Sequence, residues 1–169
     1  MILLDRNNNA TYYEYGRYNQ GNIIGKKLQG KGNWRKFNLP KIGRNEDVNS
    51  YLNRVYNLLP DKSESRMQFV VTNNVDYDKA VDYIKTQANN SNRSSYSALN
   101  TCATQAKRVI ENSAVGDTMF RNDHDLEIQE GANMMGSTWN SLVPGGSHQY
   151  FIGTLRDFGD YAGEIKKDN

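Results

Sequence analysis

Cysteine is almost missing from this chain, and so is histidine: there is one Cys, Cys102, and there are two His, His124 and His148. A single thiol forms no disulfide within the chain, so an oxidising compartment is neither required nor excluded. One thiol and two imidazoles give no Cys/His zinc cluster at standard spacing, and no metal is expected. Long apolar runs are lacking too. Met1-Ile2-Leu3-Leu4 passes directly into Asp5-Arg6-Asn7, far too short for a signal peptide, and no stretch reaches the length that spans a bilayer. Excess charge of either sign is absent: 21 Lys and Arg face 19 Asp and Glu, a net +2. Such balance gives no ground for a nucleic-acid or membrane partner. Gly25-Lys26-Lys27 and Gly30-Lys31-Gly32 lack the spacing of a phosphate-binding loop, so no cofactor is expected. A chain of this kind acts outside its own cell only if something else carries it.

What is present is tyrosine. Eleven of them lift the aromatic content to 11%, which argues against general disorder despite a mean hydropathy of −0.83. The length of 169 residues suits one domain. Met1 to Leu4 reads as a strand already under way, as expected of a domain cut from a longer polypeptide. A turn at Asp5 to Asn9 leads into a second strand, Thr11 to Tyr18, with Tyr13, Tyr15 and Arg17 on one face and Tyr12, Glu14 and Gly16 on the other. Ile23-Ile24 and Trp34 to Pro40 extend a meander of short antiparallel strands.

Helical spacing then takes over. Asn45-Glu46-Asp47 opens a helix to about Leu59, with Asn45 as the expected cap. Met67 to Thr72 is the best strand, and Asn74 or Asp76 caps a helix fading near Gln87. A polar loop, Ala88 to Ser95, precedes a third helix that carries Cys102. A further strand is expected at Gln149 to Leu155, after the turn Pro144 to His148, and the tail Glu164 to Asn169 is expected to fray. The whole reads as a single α+β domain over 1–169, a small antiparallel sheet packed on helices, with residues 113–169 as a C-terminal extension.

The candidate chemistry centres on Cys102. A thiol in the first turn of a helix faces unpaired N–H groups and the positive end of the helix dipole, both of which favour the thiolate. Catalysis by that thiolate needs an imidazole, and His148, after a glycine-rich turn and before an aromatic strand, is the better placed of the two. His124, between Asp123 and Asp125, reads as an exposed loop residue. Glu14 suits orientation of an imidazole on a neighbouring strand, and ordinary cross-strand pairing explains it equally well. The basic stretch from Lys26 to Arg44 is ordinary protection of exposed strands. A packed, inert Cys102 is the competing account.

Two stretches, Tyr12-Tyr13-Glu14-Tyr15-Gly16-Arg17-Tyr18 and Tyr96-Ser97-Ala98-Leu99-Asn100-Thr101-Cys102-Ala103-Thr104-Gln105-Ala106-Lys107, together resemble papain-like cysteine hydrolase domains, related to the NlpC/P60 group and in part circularly permuted. Such domains end Rhs-type polymorphic toxins and type VI secretion effectors. The helix Asp76 to Ile84 is similar to the one they place before the nucleophile. The resemblance covers residues 1–112 and implies a papain-like fold with Cys102 as nucleophile. In the permuted arrangement the base stands on the first strand, before a run like Met1 to Leu4, where this sequence has no histidine. The base is then either His148 or a residue upstream of Met1. The function implied is a secreted or injected toxin that hydrolyses an amide of a peptidoglycan peptide or a protein, opposed by a cognate immunity protein. A non-catalytic binding or adaptor domain, with Cys102 structural and tyrosines exposed, is the alternative.

Overall fold

Alternation in the first forty residues builds a sheet whose two faces are both used. The computed structural model describes residues 1–56, 58, 66–72, 75–97, 100, 102–115 and 161–166. β1 (Ile2–Leu4), β2 (Ala10–Gly16) and β3 (Asn33–Leu39) form an antiparallel sheet in the order β1-β2-β3. The β1–β2 turn is closed by Asp5, whose carboxylate accepts the N–H groups of Asn7 and Asn9 at 2.8 Å each. The β2–β3 register sets Tyr15 opposite Trp34, Tyr13 opposite Lys36 and Glu14 opposite Arg35.

Because strand side chains alternate, the odd-numbered tyrosines of β2 leave on one face and Tyr12 and Glu14 on the other. The first face buries Leu3, Tyr13, Tyr15 and Trp34 against Ala80, Ile84 and Ala88 of α2 (Tyr77–Asn89) and Val109 of α3 (Cys102–Ser113). The second face buries Ala10 and Leu39 against Tyr51, Leu52, Val55 and Tyr56 of α1 (Val48–Tyr56). Ile84, Val55 and Val109 are fully inaccessible to solvent, and each such side chain contributes about 1.5–3 kcal/mol of transfer free energy. The result is an α+β layer structure, as the sequence pattern implies.

Local capping places the helices. Asp76 caps α2 by accepting from the Lys79 N–H. At α1 the expected cap Asn45 is not the one used: Asp47 accepts the Ser50 N–H at 3.0 Å. Glu46 instead bonds Arg54 and the Gly43 N–H, which pulls its carboxylate away from the helix start. At the other end of the chain, the fraying expected from Glu164 onward does not hold over 164–166, and 167–169 lie outside the described residues. β5 (Tyr161–Lys166) pairs antiparallel with β4 (Arg66–Val71), Arg66 opposite Lys166 and Val71 opposite Tyr161. The expected strand at 149–155 lies outside the described residues. Among the described residues no helix is long and apolar enough to cross a membrane.

Candidate functional site

The approach to α3 is held by polar side chains. Asn100, only 5% exposed, donates its amide to the Tyr15 hydroxyl at 3.1 Å and to the Ser95 carbonyl at 3.1 Å. Its own side-chain oxygen accepts from Gln105 Nε2 at 2.6 Å. A backbone bridge between Ser97 and Asn100 turns the chain back just before the helix. These bonds fix the residue two positions ahead of Cys102 to the centre of the sheet.

A second device anchors the loop before it. Arg93 is buried, and its guanidinium donates to the carbonyls of Gly32 and Ala88 at 2.7 Å each and to the Asn90 carbonyl at 3.4 Å. It also donates to the Lys26 carbonyl and to Asn33 Oδ1. Every partner is neutral. Burial lowers its pKa from the usual value, and Tyr15 opposes that shift. Gly25 supports the same junction: its φ of +67° and the Ala88 carbonyl, which would lie 2.5 Å from an added Cβ, leave room for glycine alone.

Cys102 is the first residue of α3 and is exposed to solvent. The Tyr96 phenol has its pKa raised first by burial and then by the charge and side chain of Cys102, whose backbone N–H acts in the opposite direction. Tyr96 is held in place by the Arg17 guanidinium, 5.5 Å above its ring, and by a ring contact to Tyr15 at 5.9 Å. Burial lowers the pKa of the Met1 amino group to about 6, while Cys102 and Glu14 pull the other way, which sets the leading end of β1 beside both.

Glu14 is the carboxylate of this region. It is 8% exposed and bonded by Arg35, whose Nε donates at 2.6 Å, and by the Tyr12 hydroxyl at 3.2 Å. Arg35 stacks on Tyr18, 3.4 Å from the ring centroid. Tyr12 and Tyr18 are both held protonated, chiefly by burial and next by the Glu14 charge, Tyr18 with its pKa pushed up to about 12; Cys102 adds to the effect on Tyr12. The charge of Cys102 thus reaches Tyr96, Tyr12 and the Met1 amino group, and that of Glu14 reaches Tyr12 and the same amino group.

Of the residues singled out in the sequence, Cys102 stands where its pattern places it, at a helix start and open to solvent. His148 and His124 lie outside the described residues. Glu14 acts, like Cys102, on the Met1 amino group and on Tyr12, and is itself paired with Arg35. Arg35 itself departs from the reading of Lys26 to Arg44 as ordinary protection of exposed strands, since it turns inward onto Glu14. Tyr12, Tyr96 and Arg17 are not among the candidate site residues of the sequence; their signal is membership of the two stretches, Tyr12 to Tyr18 and Tyr96 to Lys107, that carry the family resemblance. Among the described residues no group of three or more His, Cys, Asp or Glu is placed to hold a metal ion.

An α+β frame presenting a lone exposed thiol at the head of a helix defines a small domain with an accessible polar site. Its family is given by residues 1–118, which match the type VI secretion system effector TseH-like family. The chain belongs to that family, and with it to the effectors exported by a secretion system. No curated protein and no solved structure matches the chain.

Proposed function

We propose that this effector is a papain-like toxin that hydrolyses an amide through a covalent Cys102 thioester. The observation that carries the reading is the exposure of Cys102 at the first turn of α3, with the Tyr96 phenol beside it. The thiolate attacks the scissile carbonyl carbon, and backbone N–H groups at the start of α3 receive the developing oxyanion. An imidazole, assigned here to His148, takes the thiol proton and returns it to the leaving amine. Water, deprotonated by the same imidazole, then attacks the thioester; the acid is released and the thiol restored. Glu14 is the carboxylate suited to orient that imidazole. The substrate class is a peptidoglycan peptide or a protein side-chain amide, and a cognate immunity protein is the expected partner.

The competing account, a non-catalytic binding domain, drew its force from an exposed tyrosine face. Tyr13 and Tyr15 are instead spent in the core at 5% and 3% exposure. The deciding experiment expresses wild type, Cys102→Ala and His148→Ala in the bacterial periplasm and cytoplasm. Loss of toxicity with Cys102→Ala, in the compartment that holds the substrate, supports hydrolysis. Wild type and Cys102→Ala that are equally toxic in both compartments overturn it. Loss with His148→Ala supports that base, and full toxicity of His148→Ala removes it.

A further inference from the structure

Behind the start of α3, on residues that do not include Cys102, lies a polar pocket of about 140 Å³ between the end of α2, the loop 90–100 and α3. None of its lining residues is an Asp or a Glu, and two are arginines, Arg93 and Arg108. Arg93 has no carboxylate partner, because all its donors go to neutral oxygens. Its charge partly meets the C-terminal dipole of α2, whose carbonyls are themselves covered: Ala88 O by Arg93 and the Lys26 N–H, Thr86 O and Gln87 O by the Asn90 N–H. The remaining potential is positive, since Arg108 adds a full charge at the exposed rim and α3 turns its positive end toward Asn100. Gln87, Asn92 and Arg108 also line it, and no hydrogen bond among the described residues engages their side-chain N–H groups, the Asn92 backbone N–H alone going to Asn90 Oδ1. Trp34, whose ring also lines the pocket, carries the one buried side-chain polar atom among the described residues that has no acceptor, its Nε1.

The geometry points to a binding site for a small carboxylate, a monoanion of amino-acid size, in this pocket. A buried positive charge without a counterion, a lining without acids and several unspent planar donors form a site complementary to a carboxylate group. The volume admits a group of a few heavy atoms and excludes a polymer. Two sources carry that chemistry: the terminal carboxylate of a peptide substrate, and a free carboxylic acid of the surroundings.

The test is an NMR titration of the full chain with N-acetylglycine and, separately, with its neutral amide. The Trp34 indole N–H is the reporter, distinguished from the second tryptophan by the variant Trp139→Phe. The acid is expected to shift this signal saturably, with a dissociation constant on the order of 1 mM, and the amide to leave it in place. Arg108→Gln, at an exposed position, is expected to weaken binding about fivefold, the size of one exposed charge pair, with the thermal midpoint unchanged. Equal binding of acid and amide, a shift linear in concentration, or no effect of Arg108→Gln each overturn the proposal. The same titration is run in Cys102→Ala, where binding persists whether or not the chain is a hydrolase. Competition of N-acetylglycine with toxin substrate assigns the site to the substrate's own terminus; binding without competition assigns it to a free acid.

Discussion

Asn100 and Tyr15 stand 85 positions apart and meet in the core, the Asn100 amide donating to the Tyr15 hydroxyl at 3.1 Å. Through this bond the residue two ahead of Cys102 is tied to the central strand of the sheet. Asn100→Ala leaves Gln105 Nε2 and the Tyr15 hydroxyl without that partner in a buried setting, and the Ser95 carbonyl without it in a partly buried one. The expected cost is about 1–3 kcal/mol. Tyr15→Phe removes only one hydroxyl and is expected to cost about 1 kcal/mol. Urea unfolding with an unchanged slope checks both. An Asn100→Ala midpoint equal to wild type contradicts the account.

Arg93 makes a stronger demand, because its fork is used in full. A lysine there offers a point charge on a flexible stem and cannot reach the Gly32, Lys26 and Ala88 carbonyls together. Arg93→Lys is therefore expected to destabilise by about 2–4 kcal/mol, comparable to Arg93→Ala. Urea denaturation of the pair measures this. A lysine variant as stable as wild type shows that charge alone matters at this site.

The sequence pattern and the fold agree where the information is local. Apolar spacing finds α1, α2 and α3, and the run from polar loop into spaced apolar residues puts Cys102 at a helix start without any tertiary knowledge. Disagreement arises where a distant partner decides. Glu46 looks like part of a cap until Arg54, eight residues on, claims its carboxylate. Arg35 looks like ordinary protection of an exposed strand until the β2–β3 register sets it opposite Glu14. The segment 161–166 carries a glycine, a glutamate and only a few apolar positions, weak signals alone, and becomes a strand because β4 offers an edge. Tyr96 joins the surroundings of Cys102 through a turn whose geometry composition does not announce.

Acid stability follows from the same Glu46–Arg54 pair. The Arg54 guanidinium, then the Gly43 N–H, hold the Glu46 carboxyl down at about 2, below its ordinary 4.5. A carboxyl with a lowered folded pKa binds more protons unfolded than folded. Its contribution is thus present above about pH 4.5 and is lost as pH falls through about 2. Asp5 and Asp47, lowered by their bonds to Asn9 and Ser50, act in the same direction. Stability is expected to fall on acidification from pH 5 to pH 2, and Glu46→Gln to flatten that fall. Because the pair is exposed, 0.5 M salt is expected to reduce the difference. Thermal midpoints across this range, with and without salt, measure it; parallel curves for wild type and Glu46→Gln contradict it.

Tyr96 gives the sharpest link between fold and thiol. Its ring is positioned by Arg17 and Tyr15, so Tyr96→Phe keeps both contacts and removes only the hydroxyl beside Cys102. Burial first and Cys102 second raise the phenol's pKa, so at neutral pH the O–H is intact and available as a donor to a thiolate. A donor to the charged sulfur is lost in the phenylalanine variant, and alkylation of Cys102 by iodoacetamide at pH 7 is expected to slow about two- to tenfold, the effect of one hydrogen bond of about 0.5–1.5 kcal/mol. The linkage also has a sign at high pH. A phenol with a raised folded pKa contributes stability that is complete below about pH 10 and is lost as pH rises through the folded value. Tyr96→Phe is accordingly expected to lose less stability than wild type between pH 9 and pH 11. Faster alkylation in Tyr96→Phe identifies the hydroxyl as a shield over the sulfur rather than its donor, because a shield is the one arrangement in which removing an oxygen exposes the thiol.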